Sequence, residues 1–82
     1  MKVRVRVTLK PSILDPQGKA IGNALTALGF SGVGEVRQGK IIDIELDETD
    51  PARLHQQAEA MCKQLLANPV TEDYTIEAIA TG

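Results

Sequence analysis

The chain has 82 residues, one cysteine, almost no aromatics and a net charge of −2 at neutral pH. Its size predicts one domain, residues 1–82, near the lower limit of independent stability, where association with another chain helps. The slight acidity and the lack of stacking aromatics exclude a nucleic-acid binder, which carries a basic footprint. One cysteine cannot form an internal disulfide, and neither a signal-peptide pattern nor a membrane-length apolar run is present, so a soluble cytoplasmic protein is expected.

Residues 2–9 alternate, with Val3, Val5, Val7 and Leu9 on one side and Lys2, Arg4, Arg6 and Thr8 on the other. Period two with β-branched residues predicts a half-buried strand, closed by Pro11. Asp15-Pro16 then opens a helix: Asp caps free N–H groups, and Pro at the first helical position sacrifices no hydrogen bond. Ile21, Leu25 and Leu28 form a narrow apolar stripe beside Ala20, Ala24 and Ala27, and Gly29 suits the left-handed position after the helix.

Residues 33–38 predict a weaker strand. Gly39 marks a turn, and Ile42, Ile44 and Leu46 alternate with Asp43, Glu45 and Asp47, so the two strands form a hairpin. Asp50-Pro51 repeats the helix start. Leu54, Ala58, Met61 and Leu65 lie on one face of that second helix, which Asn68-Pro69 stops. A last strand is expected over residues 71–80, with Tyr74, Ile76 and Ala78 on one side.

The order is β-α-β-β-α-β, and the fold class expected is α+β with two helices on one face of an antiparallel sheet. In that ferredoxin-like order the first strand neighbours the strand holding Asp43, Glu45 and Asp47. Lys2, Arg4, Arg6 and Lys10 then face acidic residues across the pair, which steadies the register because a one-residue slip would bury charge. The same polar face is equally free to meet another subunit.

A search for chemistry returns little. His55 and Cys62 are seven residues apart on one helix, about 10 Å along its axis, too far for a nucleophile and its base. With Glu59 they imitate half of a metal site, but they read better as a surface His55–Glu59 pair and a small apolar Cys62. Gln17-Gly18-Lys19 lacks the first Gly and the Ser or Thr of a phosphate-binding loop, with Ile13 and Ala20 in those places. Gly32-Val33-Gly34 lacks the third Gly of a dinucleotide fingerprint, Arg37 standing there, and reads as a turn. Glu72-Asp73 forms a hydrated strand entrance. No nucleophile, base and oxyanion donor assemble, so catalysis by this chain alone is not expected.

Longer strings carry more. Leu14-Asp15-Pro16-Gln17-Gly18-Lys19-Ala20, Leu28-Gly29-Phe30, Val36-Arg37-Gln38-Gly39-Lys40 and the run from Met61 to Tyr74 resemble the PurS family, as does the opening strand ending in Thr8-Leu9-Lys10. The resemblance covers essentially the whole chain. Gln64 stands where the family often has a basic residue and Thr71 where it often has Ile; neither breaks an element.

The resemblance implies a PurS-like, oligomeric fold and a non-catalytic small subunit of phosphoribosylformylglycinamidine (FGAM) synthase. Its implied partners are the large ATP-dependent synthetase subunit, the glutaminase subunit and further copies of itself, as a dimer or tetramer. The complex makes formylglycinamidine ribonucleotide from formylglycinamide ribonucleotide, glutamine and ATP. The small subunit would bridge the other two and support ammonia transfer. It would bind no cofactor or metal itself, ATP and magnesium being used by the synthetase. Loop and turn residues within the matching strings are the expected partner contacts: Gln17, Lys19, Arg37, Lys40, Asn68, Asp73 and Tyr74. A small-molecule regulatory module is the alternative, supported by fold analogy alone.

Overall fold

The computed structural model describes residues 1–79. The elements are β1 (Lys2–Leu9), α1 (Pro16–Ala27), β2 (Gly39–Glu45), α2 (Pro51–Met61), a π-helical turn (Cys62–Leu66) and β3 (Glu72–Ile79). The sheet is antiparallel with order β2-β1-β3. The α+β class with two helices and an antiparallel sheet is as expected. Ala80, the expected last residue of the final strand, lies outside the described residues.

The alternating pattern of β1 places Val3, Val5 and Val7 fully inside. Two clusters build on them. Val3 packs with Leu54 and Ala58 of α2, flanked by Ile44, Leu46 and Ile76. Val5 and Val7 pack with Cys62 and Ala67, flanked by Ile42, Leu66, Tyr74 and Ile76. The central strand is therefore covered along its length by α2 and the turn that follows it. Burial of Cys62 removes its thiol from water and pushes its pKa up, so it behaves as a small apolar residue.

On the opposite face the charges pair. Arg4 holds Asp43 of β2 through two hydrogen bonds of 2.9 and 3.2 Å. Arg6 reaches Glu77 of β3 at 3.4 Å, and Lys10 reaches Asp73 at 2.8 Å. Of the expected pairing with β2, Arg4–Asp43 forms and Lys2 lies opposite Glu45, whereas Arg6 stands opposite Ile41 and both Arg6 and Lys10 take their partners from β3, which sequence reasoning did not name. These pairs are exposed and screened, so they serve register more than stability.

Both helices start as the sequence predicts. Asp15 and Asp50 cap α1 and α2, with Pro16 and Pro51 directly after them. Gly29 takes the left-handed conformation past α1, with φ +97°.

Three local features differ from expectation. The apolar stripe of α1 does not pack on the sheet: among the described residues neither core cluster takes a side chain from α1. Ile21 is 42% exposed and Leu28 74%. Residues 33–38 join no ladder and leave the outer edge of β2, where the hairpin was expected, unpaired in the three-stranded sheet. The backbone N–H of Gln38 is instead bound by the Asp15 carboxylate, and Gly39 begins β2 rather than turning a hairpin. Finally, Leu65 is 84% exposed while Leu66 packs against the core. A π-turn holds more residues than an α-turn, so the face rotates between Met61 and Leu66 and an unbroken α-helical spacing no longer applies.

Residues 14–38 therefore form an arm beside a compact sheet-and-helix body. The whole measures 48 × 32 × 14 Å with a radius of gyration of 16.2 Å. A compact domain of this length has a radius of about 12 Å.

Candidate partner interface

At one end of the sheet β1 stops and β2 and β3 begin, with Thr8 opposite Gly39 and Leu9 opposite Glu72. Antiparallel pairing thus gathers three loops there: the segment after β1, the return of the arm into β2, and the turn before β3. Loops held on a rigid sheet are the natural place for recognition.

The turn before β3 is closed by Asn68. Its side chain accepts from Val70 N–H at 3.0 Å, its carbonyl accepts from Thr71 and Glu72 N–H, and its own N–H donates to Glu72 Oε1 at 2.7 Å. This self-contained turn leaves Val70 75% exposed. Beside it, Asp73 and Tyr74 line an open recess with Lys10, Lys63, Pro69 and Glu72. Tyr74 lies opposite Val7 and is half-buried against the core, so its ring is structural and only its rim faces the recess.

A second recess, which shares Glu72, is lined by Gln17 and Lys40 together with Asp15, Gln38 and Gly39. Gly39 is required where it stands: a Cβ there would meet Val7 O at 2.8 Å and Thr8 Cγ2 at 2.9 Å. The two recesses form one polar band around the loop end of the sheet. Lys19 and Arg37 lie in a further groove between α1 and residues 33–37, which touches the second recess only through Asp15. Of the seven expected contacts, the band collects Gln17, Lys40, Asp73 and Tyr74, with Asn68 at its border. Arg37 is already engaged: its Nη2 donates to the carbonyls of Lys10 at 2.9 Å and Ile13 at 2.8 Å.

Asp15 is the residue that sequence reasoning read only as a helix cap. Its carboxylate is 5% exposed and accepts from Gln38 N–H at 2.6 Å and from Gly18 N–H at 2.8 Å. Those two donors, that of Gln38 foremost, hold its pKa below the usual carboxylate range, with Arg37 adding to the effect. The Gln38 bond spans 23 positions, and no local pattern announces it.

The remaining polar groups converge on nothing. His55 faces Glu59 at 4.0 Å on the exposed side of α2 while Cys62 is turned into the core. Among the described residues no three His, Cys, Asp or Glu side chains are grouped to hold a metal. No described helix is long and apolar enough to cross a membrane.

A core with no reactive cluster, a loop-end polar band and a projecting arm suit an assembly component. The profile of PurS, described as phosphoribosylformylglycinamidine (FGAM) synthase, matches residues 2–80. The chain belongs to the PurS family. It is 49% identical over 77 residues to the PurS subunit of phosphoribosylformylglycinamidine synthase from Synechocystis sp., covering 94% of this chain and 77% of that one. Identity to the corresponding subunit of Mycobacterium leprae is 51% over 73 residues, or 88% of this chain and 87% of the relative. Among solved structures, PurS from Methanocaldococcus jannaschii superposes with a TM-score of 0.85 at 45% identity, covering 93% of this chain and 92% of the other. That protein is described as one of the subunits of formylglycinamide ribonucleotide amidotransferase in the purine biosynthetic pathway. A chain in the structure of PurLQS from Thermotoga maritima gives a TM-score of 0.85 at 28% identity, with 93% of each chain covered. The PurS fold of these relatives is thus the fold of this chain over nearly its full length.

Proposed function

We propose that this chain is the non-catalytic small subunit of FGAM synthase, joining the ATP-dependent synthetase subunit to the glutaminase subunit in purine biosynthesis. The observation that carries this reading is the full-length PurS match, which extends to a chain of PurLQS. The reaction, including the use of ATP and magnesium, belongs to the partners; the contribution of this chain is positional. Ammonia released into water is diluted and protonated. Holding the glutaminase and synthetase sites together raises its effective concentration at the acceptor. The polar band bearing Gln17, Lys40, Asn68, Asp73 and Tyr74 is the surface for one partner, and Lys19 lies on the arm for another contact. Self-association covers the exposed apolar side of the arm, and the assembly works in the cytoplasm.

The test is reconstitution of the synthetase and glutaminase subunits with and without this chain. Glutamine-dependent synthesis should require it, whereas synthesis from added ammonium salts should proceed without it. If its addition changes neither glutamine-dependent turnover nor the size of the complex on gel filtration, the bridging reading fails.

A further inference from the structure

The arm is attached to the sheet by two stretches of backbone, residues 10–15 leaving β1 and residues 36–38 entering β2. Because α1 contributes no side chain to either core cluster, burial of apolar surface does little to fix the arm on the body. Two unsupported connections would let the arm swing about their rotatable backbone angles.

Polar bonds stand where packing is missing. Asp15 Oδ1 takes Gly18 N–H at the start of α1, and Oδ2 takes Gln38 N–H on the return stretch. One buried carboxylate thereby ties the outgoing chain to the incoming one. Arg37, next to Gln38, ties them a second time by donating to Lys10 O and Ile13 O on the outgoing stretch. Gly18 allows the close approach on which this depends, since a Cβ there would collide with the Val36 carbonyl. Three bonds thus cross the joint, each from a donor on the return stretch to an acceptor on the outgoing one; one has a charged acceptor and two a charged donor, the kind that are stronger than neutral pairs.

We propose that Asp15 and Arg37 form a latch that fixes the arm on the sheet, so that the whole 48 Å length of the chain behaves as one rigid body. Removing either side of the latch frees the arm while leaving the sheet and α2 intact. The proposal concerns the chain by itself and does not depend on which partners the chain joins.

The distance distribution between two spin labels tests it. Full-length protein labelled at Ala24→Cys on the arm and Thr75→Cys on the outer sheet face is mixed with excess unlabelled chain, so that only distances within one chain are read. A second pair, Glu45→Cys and Thr75→Cys, spans the sheet and serves as reference. The parent should give a narrow distribution for both pairs. Asp15→Ala and Arg37→Ala should each at least double the width for the arm pair and leave the sheet pair unchanged. Arg37 is exposed, so its replacement keeps the test open even where Asp15→Ala fails to fold. An unchanged arm distribution in Arg37→Ala, as when a second copy rather than the latch holds the arm, overturns the proposal. Equal broadening of both pairs overturns it as well.

Discussion

Asp15 combines two roles of one side chain. Capping a helix needs only one carboxylate oxygen: Asp50 gives one to Ala52 N–H at the start of α2, and its other oxygen faces only Arg53 of the same helix, at 3.9 Å. The second oxygen of Asp15 is used on a residue far along the chain. The sign of its pH dependence follows. The folded carboxyl binds its proton less readily than the unfolded one, because two N–H donors favour the charged form. Its stabilisation is therefore complete above the unfolded pKa, about 4, and drains away as pH falls through the lower folded value. Asp15→Asn keeps the cap and loses the charged bond to Gln38. The difference in melting temperature between the parent and this variant should be largest near neutral pH and should narrow below about pH 4. A difference independent of pH from neutrality to strong acid would contradict this account of the residue.

Elements show where local pattern and packing part company. Leu54 and Ala58 of the stripe are a faithful guide to the buried side of α2, but Met61 is only half-buried while Cys62 beside it is fully inside, and Leu65 is turned out, because the π-turn rotates the chain. Leu54, 1% exposed, and Leu65, 84% exposed, are the same residue type, about three turns apart, with opposite environments. Leu54→Ala should cost about 2–5 kcal/mol, the loss of transfer energy plus a cavity under Val3. Leu65→Ala should stay within about 0.5 kcal/mol, as for an exposed position. Urea unfolding of the two variants checks the contrast; equal losses would mean that the helix continues as α through Leu66. Residues 33–38 make a related point. They carry strand-forming Val33 and Val36, yet no ladder forms, and the backbone N–H of Gln38 goes to the Asp15 carboxylate, a partner that no local propensity announces.

At the scale of the molecule, the arm is the unusual feature. Leu28 and Phe30 at its far end are 74% and 59% exposed, and Ile21, seven residues before Leu28, is 42% exposed. A chain this small gains little by leaving such residues in water, and several large apolar side chains exposed on one projecting segment suit association. Leu28→Glu together with Phe30→Glu should weaken self-association at least tenfold in sedimentation velocity while leaving the melting of the sheet and α2 in place. An unchanged sedimentation profile would place the contact between copies elsewhere. Charge supports the division of labour: the sheet face opposite the core satisfies its charges internally through Arg4–Asp43, Arg6–Glu77 and Lys10–Asp73, and presents little uncovered apolar area apart from Ile41.

What the sequence determined by itself was whatever depends on neighbours along the chain. Alternation made β1 and set its inner face, the two Asp-Pro pairs started both helices, and Gly29 ended the first. The matching strings also carried the family, because long ordered strings are specific where short motifs such as Gln17-Gly18-Lys19 are not. Of the seven residues expected on loops and turns only Arg37 and Asn68 are there: Gln17 and Lys19 stand on the first turn of α1, Lys40 on β2, and Asp73 and Tyr74 on β3. Gln17, Lys40, Asp73 and Tyr74 still come together, because antiparallel pairing brings the starts of β2 and β3 to one end of the sheet. Arg37 was legible as a loop cation, but not its attachment to Lys10 and Ile13. Tertiary structure alone decided that α1 projects, that Leu65 turns outward, that Glu77 and Asp73 complete the charge pairs of β1, and that Asp15 joins two distant stretches. Each of these depends on which surfaces and donors meet across long separations, and no periodicity along the chain encodes that meeting.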